Sequence, residues 1–188
     1  MKKSMLALAV VFASFGAQAN DFSGSRIGAG YNLTAGTYVS YELKGINYGH
    51  NSTGDGFNLT YGYDFNQMVG LNISYYETSG DKRRYDHYEF EGSSFLVDAD
   101  IGWTFDMGGW SIKPYGAVGL GYHKMDVTRT SPSETVKSDS FSETGFLFGV
   151  GARAQFNNGA YLEVREDILI GVDHTDSSRF ALIAGYKF

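Results

Sequence analysis

Apolar and polar residues alternate at period 2 through most of the chain after residue 20. That is the spacing of strands whose two faces meet different surroundings. From Phe57 through Leu59, Tyr61 and Tyr63 to Phe65 every odd position is apolar or aromatic, and Asn58, Thr60, Gly62 and Asp64 between them are polar or glycine. Val69, Leu71, Ile73 and Tyr75 continue against Gly70, Asn72 and Ser74, and Phe95, Val97, Ala99, Ile101, Trp103 and Phe105 alternate with Leu96, Asp98, Asp100, Gly102 and Thr104. Val118, Leu120 and Tyr122 oppose Gly119, Gly121 and His123; Phe146, Phe148 and Val150 oppose Leu147, Gly149 and Gly151; Phe180, Leu182, Ala184, Tyr186 and Phe188 oppose Arg179, Ala181, Ile183, Gly185 and Lys187. With Ile27 to Leu33 and Leu162 to Val172 the segments number eight. An apolar period of 3.6 is absent after residue 20, so the pattern predicts an all-β chain.

A soluble β-sandwich also alternates, and the ends of the segments separate the two readings. Four segments finish in phenylalanine beside a short turn or the last residue: Phe65, Phe105, Phe156 and Phe188. Counted from their first apolar residue they are 9, 11, 11 and 9 residues long, the length with which a tilted strand crosses the hydrocarbon layer. The four phenylalanines then form one aromatic girdle. Connections alternate between tight ones (66–68, 106–109 and 157–159) and long ones near Ala35 to Gly56, Glu77 to Gly92, Met125 to Ser142 and Asp173 to Ser178. Short turns on one side and long loops on the other organise bacterial outer-membrane barrels. The expectation is an eight-stranded antiparallel transmembrane up-and-down β-barrel. Closure leaves no unpaired edge in lipid, so Pro114, which cannot donate to a ladder, belongs at a strand start or a bulge near the rim.

The first residues read as an export signal: Lys2 and Lys3, an apolar run from Met5 to Phe15, and Ala17-Gln18-Ala19 as a cleavage site. The run is too short for a transmembrane helix. Residues 1–19 are therefore expected to be a signal peptide and 20–188 one barrel domain. Removing the first 19, which carry two lysines, takes the formal charge from −6 to −8. An acidic chain without a strongly positive face argues against a nucleic-acid partner. With no cysteine, a disulfide scaffold, a thiolate zinc site and a thiol nucleophile are excluded.

The inward parity carries Arg26, Asp98, Asp100, Lys113, Arg153, Glu163, Arg165 and Asp167, both signs mixed. Eight staves enclose a space that side chains fill, so these charges are expected to pair into a plug. Asp98 and Asp100 share one strand face and could alternatively form an acid/base pair. Glu166 stands on the lipid-facing parity between Val164 and Ile168, where charge is costly, and needs local water or a partner on a neighbouring strand. His50, His87, His123 and His174 show no ligand spacing, so no metal or other cofactor is expected. Asp173 to Ser178 holds an acid, a base and hydroxyls around His174 without the spacing of a triad. Lys82-Arg83-Arg84 is the basic run, followed by Tyr85, Tyr88 and Phe90. It is either a solvated tip or a contact for lipopolysaccharide phosphates or an acidic partner.

Gly56 to Tyr63, Tyr115 to Tyr122, Gly145 to Gly151 with Gln155-Phe156-Asn157, and the ending Ala184-Gly185-Tyr186-Lys187-Phe188 resemble, as an ordered set, the OmpX/Ail family of small outer-membrane barrels. The chain departs from that pattern in its long first loop and at Glu166. The resemblance implies a barrel of the Gram-negative outer membrane without an open pore, whose outer loops bind host-cell or serum proteins in some members. Tyr186 and Phe188 are expected to act as a signal to the outer-membrane assembly machinery. The leading expectation is a non-catalytic, monomeric barrel presenting loops for adhesion, set among outer-membrane lipid and lipopolysaccharide. A narrow passive pore and a lipid A-modifying enzyme are the alternatives.

Overall fold

A computed structural model describes residues 22–43, 46–51, 54–83, 87–131, 134–171 and 175–188, and among these the regular elements are all strands. They are β1 (Gly24–Leu43), β2 (Ile46–Asn51), β3 (Asp55–Asp64), β4 (Val69–Arg83), β5 (His87–Gly102), β6 (Phe105–Asp106), β7 (Trp110–Ser131), β8 (Glu134–Phe156), β9 (Ala160–Gly171) and β10 (Thr175–Lys187). Each pairs antiparallel with its neighbour, and β10 pairs with β1, so the sheet closes on itself. The ten segments make eight staves. β2 and β3 both pair with β1, and the Thr34 amide bridges the break between them by donating to the Gly54 carbonyl at 2.7 Å. β5 and β6 both pair with β7, with the break at Trp103 and Thr104.

Pro114 lies opposite that second break. It pairs with Ala152 on its β8 side, and its carbonyl accepts from the Trp103 amide at 3.4 Å. The missing proline donor therefore falls where β5 has already left the regular ladder.

Period 2 sorts the two faces. On β8, Phe146, Phe148 and Val150 are exposed, whereas Leu147 is fully buried. Ile27, Leu59, Leu71, Val97, Leu120, Leu162, Val164 and Leu182 share the outward face. An apolar face of this extent, wrapped around a closed barrel, belongs against lipid. Phe65, Trp103, Phe105, Trp110, Phe156 and Phe188 ring one end, and Tyr31, Phe57, Tyr75, Phe95 and Tyr122 point outward nearer the other. No helix among the described residues is long and apolar enough to cross a membrane; the strands do so.

The turns at the Phe65 end are tight. The Asn66 side chain accepts from the Met68 and Val69 amides at 2.8 and 2.9 Å, and Asp106 accepts from the Gly108 amide at 2.7 Å. Gly108 and Gly159 have φ of +86° and +88°, a left-handed conformation that favours glycine.

At the opposite end the long connections are shorter than the sequence implies. Most of Glu77 to Gly92 is ladder, down to Arg83 opposite His87, and Met125 to Ser142 pairs down to Ser131 opposite Glu134. Strands β7 and β8 have 22 and 23 residues, about twice what the hydrocarbon layer requires. In the sequence of their outer halves polar residues fall on both parities, so the hydropathy does not mark them as strand. Backbone pairing carries the ribbon on regardless.

Candidate functional site

The interior is built from inward residues that alternation places on every stave. Arg26 on β1 is the hub at the Phe65 end. Its guanidinium lies 3.2 Å from Asp64, 2.9 Å from Asp100 and 3.9 Å from Glu163. Arg153 reaches the same three carboxylates, at 2.6 Å from Glu163, 3.3 Å from Asp100 and 3.4 Å from Asp64. Lys113 is bonded to Asp100, and Lys187 donates to Asp64 at 2.9 Å. Tyr115 gives its hydroxyl proton to Glu163. All of these side chains are buried except the half-buried Lys187, and the arrangement meets the requirement that charge taken out of water be paired and hydrogen-bonded.

Asn72 couples this cluster to a second one. It accepts from Arg26 at 2.8 Å and donates to Asp98 and Asp100 at 2.8 and 3.1 Å. Arg165 then bridges Asp98 at 2.8 Å and Asp167 at 2.6 Å. Glycines make the room. A Cβ on Gly62 would stand 2.6 Å from the Arg26 guanidinium carbon, and one on Gly70 would stand 2.7 Å from an Asp100 oxygen. Farther along the barrel, Tyr76, Leu96, Leu147 and Leu169 fill the interior with apolar contacts, and Ala181 and Ile183 of the same cluster stand on β10 opposite Arg165 and Glu163.

The eight inward charges named from sequence thus lie in one connected region, and both Asp98 and Asp100 are committed to cations. Asp64, Asn72, Lys187 and Arg179 belong to the interior as well. Asp64 and Lys187 stand one residue before the rim phenylalanines and are not among the inward charges named from sequence. Their parity, opposite to Phe65 and Phe188, was the available signal.

Outside the interior the named residues are dispersed. Glu166 is exposed on the lipid-facing side of β9 and accepts from Ser178 on β10 at 3.4 Å. Tyr186 and Phe188 are about half exposed at the closing seam, where Ser25 and Phe188 exchange backbone hydrogen bonds of 3.0 and 2.8 Å. Lys82 pairs with Tyr88, Arg83 with His87 and Gly80 with Phe90, at the tip of the β4–β5 ribbon; Arg84, Tyr85 and His174 lie outside the described residues. Among the described residues no cluster of three or more His, Asp or Glu is arranged to hold a metal. A cleft of about 440 Å³ between the outer ends of β3, β4, β5 and β7 is lined by Glu77, Glu91, Asp126 and Lys124 among others. Hydrogen bonds from Ser140 and Lys124 hold the Asp126 carboxyl below the usual range.

A closed eight-stave barrel with an apolar outer wall, aromatic girdles and an interior filled by ion pairs is a transmembrane protein of the Gram-negative outer membrane. The chain belongs to the outer membrane protein beta-barrel domain family, matched over residues 5–188. Its fold is similar to that of Ail, the attachment invasion locus protein of Yersinia pestis, at 22% identity and TM-score 0.60, with 89% of this chain and 99% of that chain covered. Ail in complex with the heparin analogue sucrose octasulfate gives 22% and 0.58 over the same shares. The N-terminal β-barrel domain of Pseudomonas aeruginosa OprF gives 16% and 0.58, covering 89% of this chain and all of that one. No curated protein sequence matches.

Proposed function

We propose that this protein is a non-catalytic outer-membrane barrel with a closed interior, whose protruding ribbons bind host-surface or serum proteins. The observation that carries the reading is the length of β4, β5, β7 and β8 beyond the membrane band. Lipid-facing positions are committed to the bilayer and inward ones to ion pairs, which leaves the ribbons as the surface free to recognise a partner. Lys82, Arg83 and Arg84 bring positive charge to one tip, and Tyr85, Tyr88 and Phe90 bring aromatic area. Ail's complex with a polysulfated ligand supports a polyanionic or acidic partner for such a run. Residues 1–19 act in this reading as a cleaved export signal, and the mature barrel is monomeric.

The test is a binding screen of the folded protein against matrix and serum proteins and heparin, paired with a lipid A mass profile of cells that express it. Replacing Lys82, Arg83 and Arg84 with Ser is expected to weaken binding and its salt dependence together, with heat stability in detergent unchanged. A ligand retained at equal affinity after the β4–β5 and β7–β8 ribbons are shortened rejects the reading. A changed lipid A profile favours the enzymatic alternative.

A further inference from the structure

Sequence neighbours separate where the β4–β5 ribbon leaves the membrane. Successive residues of a strand stand on opposite faces, so Lys82 and Arg83, adjacent in the basic run, belong to different faces of the protruding sheet. The ladder of β4, β5, β7 and β8 is regular out to Arg83 opposite His87 and to Arg129 opposite Lys137. Its pairings put Lys82, Tyr88, Arg129 and Lys137 in one row across the four strands, and Gly80, Phe90, Val127 and Asp139 in the next row of the same face toward the membrane. Both rows continue the parity of the buried Tyr76, Ser94 and His123. Asp81, Glu89, Glu91 and Asp126 fall on the other parity, together with Arg83 and Lys124.

The sheet is therefore two-faced. On the interior parity these two rows hold three cations and one carboxylate, Asp139. Arg129 and Lys137 stand directly opposite each other, an arrangement of like charges that destabilises a sheet until an anion comes between them. Access is from the side. β8 pairs with β9 only from Gly145 onward, so among the described residues no strand of the ring walls off this face beyond the end of β9. Neighbouring strands lie about 4.8 Å apart, which makes each row about 14 Å long, and rows two residues apart along a strand are separated by about 7 Å. One row is cationic, and the middle of the other is the apolar pair Phe90 and Val127. Two parallel stripes running across the strands match a helix laid over them, which covers that length with about ten residues at 1.5 Å each. A sulfated polysaccharide supplies anions but nothing for Phe90 and Val127, and an extended peptide added to the sheet edge meets each row only at its end.

We propose that the interior-parity face of this sheet binds an acidic amphipathic helix of a host protein, about three turns long, a proposal that rests on the reading of the ribbons as protein-binding and gives the partner a shape. The helix lays its carboxylates along the row of Lys82, Arg129 and Lys137 and its apolar stripe along Phe90 and Val127. The basic run contributes Lys82 to this site and not Arg83.

The test uses the folded full barrel in zwitterionic detergent and three fluorescent probes: a synthetic helical peptide with a leucine stripe flanked by glutamates, the same peptide with a central proline, and a heparin fragment of equal charge. Affinity is read by anisotropy. The helical peptide is expected to bind saturably, and the other two probes about tenfold more weakly. Replacing Lys82, Arg129 and Lys137 together with Ser is expected to weaken helix binding about tenfold, whereas Arg83→Ser with Lys124→Ser, on the other face, leaves it unchanged. The proposal is overturned if the helix does not bind saturably, if the proline peptide or heparin binds as tightly, or if the Arg83 and Lys124 replacements cost as much as the triple one. Should the triple variant not fold, a photo-cross-linker on the helix decides with the wild-type barrel: adducts at Tyr88, Val127 or Arg129 support the site, and adducts confined to Glu89, Glu91 or Asp126 overturn it. A host protein that binds the ribbons while the helical peptide does not rejects the helix alone; a host protein still bound after the ribbons are shortened rejects the reading beneath it as well.

Discussion

Arg26 shows how little of the interior can change without uncovering charge. Replacing it with Met leaves Asp64, Asp100 and Glu163 short of a cation they all face. Breaking a buried network in this way costs about 3–5 kcal/mol. Arg26→Met is therefore expected to lower the temperature at which the folded barrel loses its compact mobility on a gel, and a wild-type transition would remove Arg26 from the hub. Glu166 behaves oppositely. It faces lipid with one hydrogen bond of 3.4 Å from Ser178, so Glu166→Leu is expected to stabilise the barrel by roughly 1 kcal/mol, read from unfolding in lipid vesicles. A destabilised variant would show that the carboxylate has a further partner in the membrane. At this scale the inward or outward face of each residue was legible in the sequence, because a side chain in a strand has only two directions to point. Which cation meets which carboxylate was not legible. Arg26 and Asp100 are 74 positions apart and meet only through the tilt and closure of the sheet.

Among the elements, the membrane-crossing parts were legible and the protruding parts were not. Phe57 to Phe65 announces itself because lipid and core demand opposite polarity on its two faces. From Glu77 to Gly92 polar residues fall on both parities of the sequence, the alternation fades, and the ladder that continues there is held by backbone hydrogen bonds that any sequence supplies. The last strand carries its own prediction. Phe188 exchanges both backbone hydrogen bonds with Ser25, and its side chain sits in the aromatic ring of that rim. Deleting Phe188 removes two bonds from the seam together with the terminal aromatic proposed as an assembly signal. Folded protein in the outer membrane is expected to fall, with unfolded chain accumulating in the periplasm. Normal levels of heat-modifiable barrel after the deletion would assign assembly information to other residues.

For the whole molecule, a filled interior predicts impermeability. A hollow of about 540 Å³ opens at the Phe65 end and reaches Lys113, Arg153 and Lys187, all of them held in ion pairs. Beyond them lie the Arg165 bridge and the apolar layer of Leu96, Leu147 and Leu169. Planar-bilayer recordings of purified protein are expected to show no steady conductance; a stable open channel would favour the pore alternative.

The ion pairs also bear on how the barrel comes into being. Asp100 on β5 draws its cations from β1, β7 and β8, and only β7 is its neighbour in the sheet. Each of the eight staves brings at least one polar side chain to the same cluster, β4 through Asn72. A half-built sheet in lipid would therefore expose bare carboxylates and guanidinium groups with nothing to meet, and would become more unfavourable with each stave added until the seam shuts. Insertion of such a chain has no stable halfway point, so closure and entry into the bilayer must come as one event.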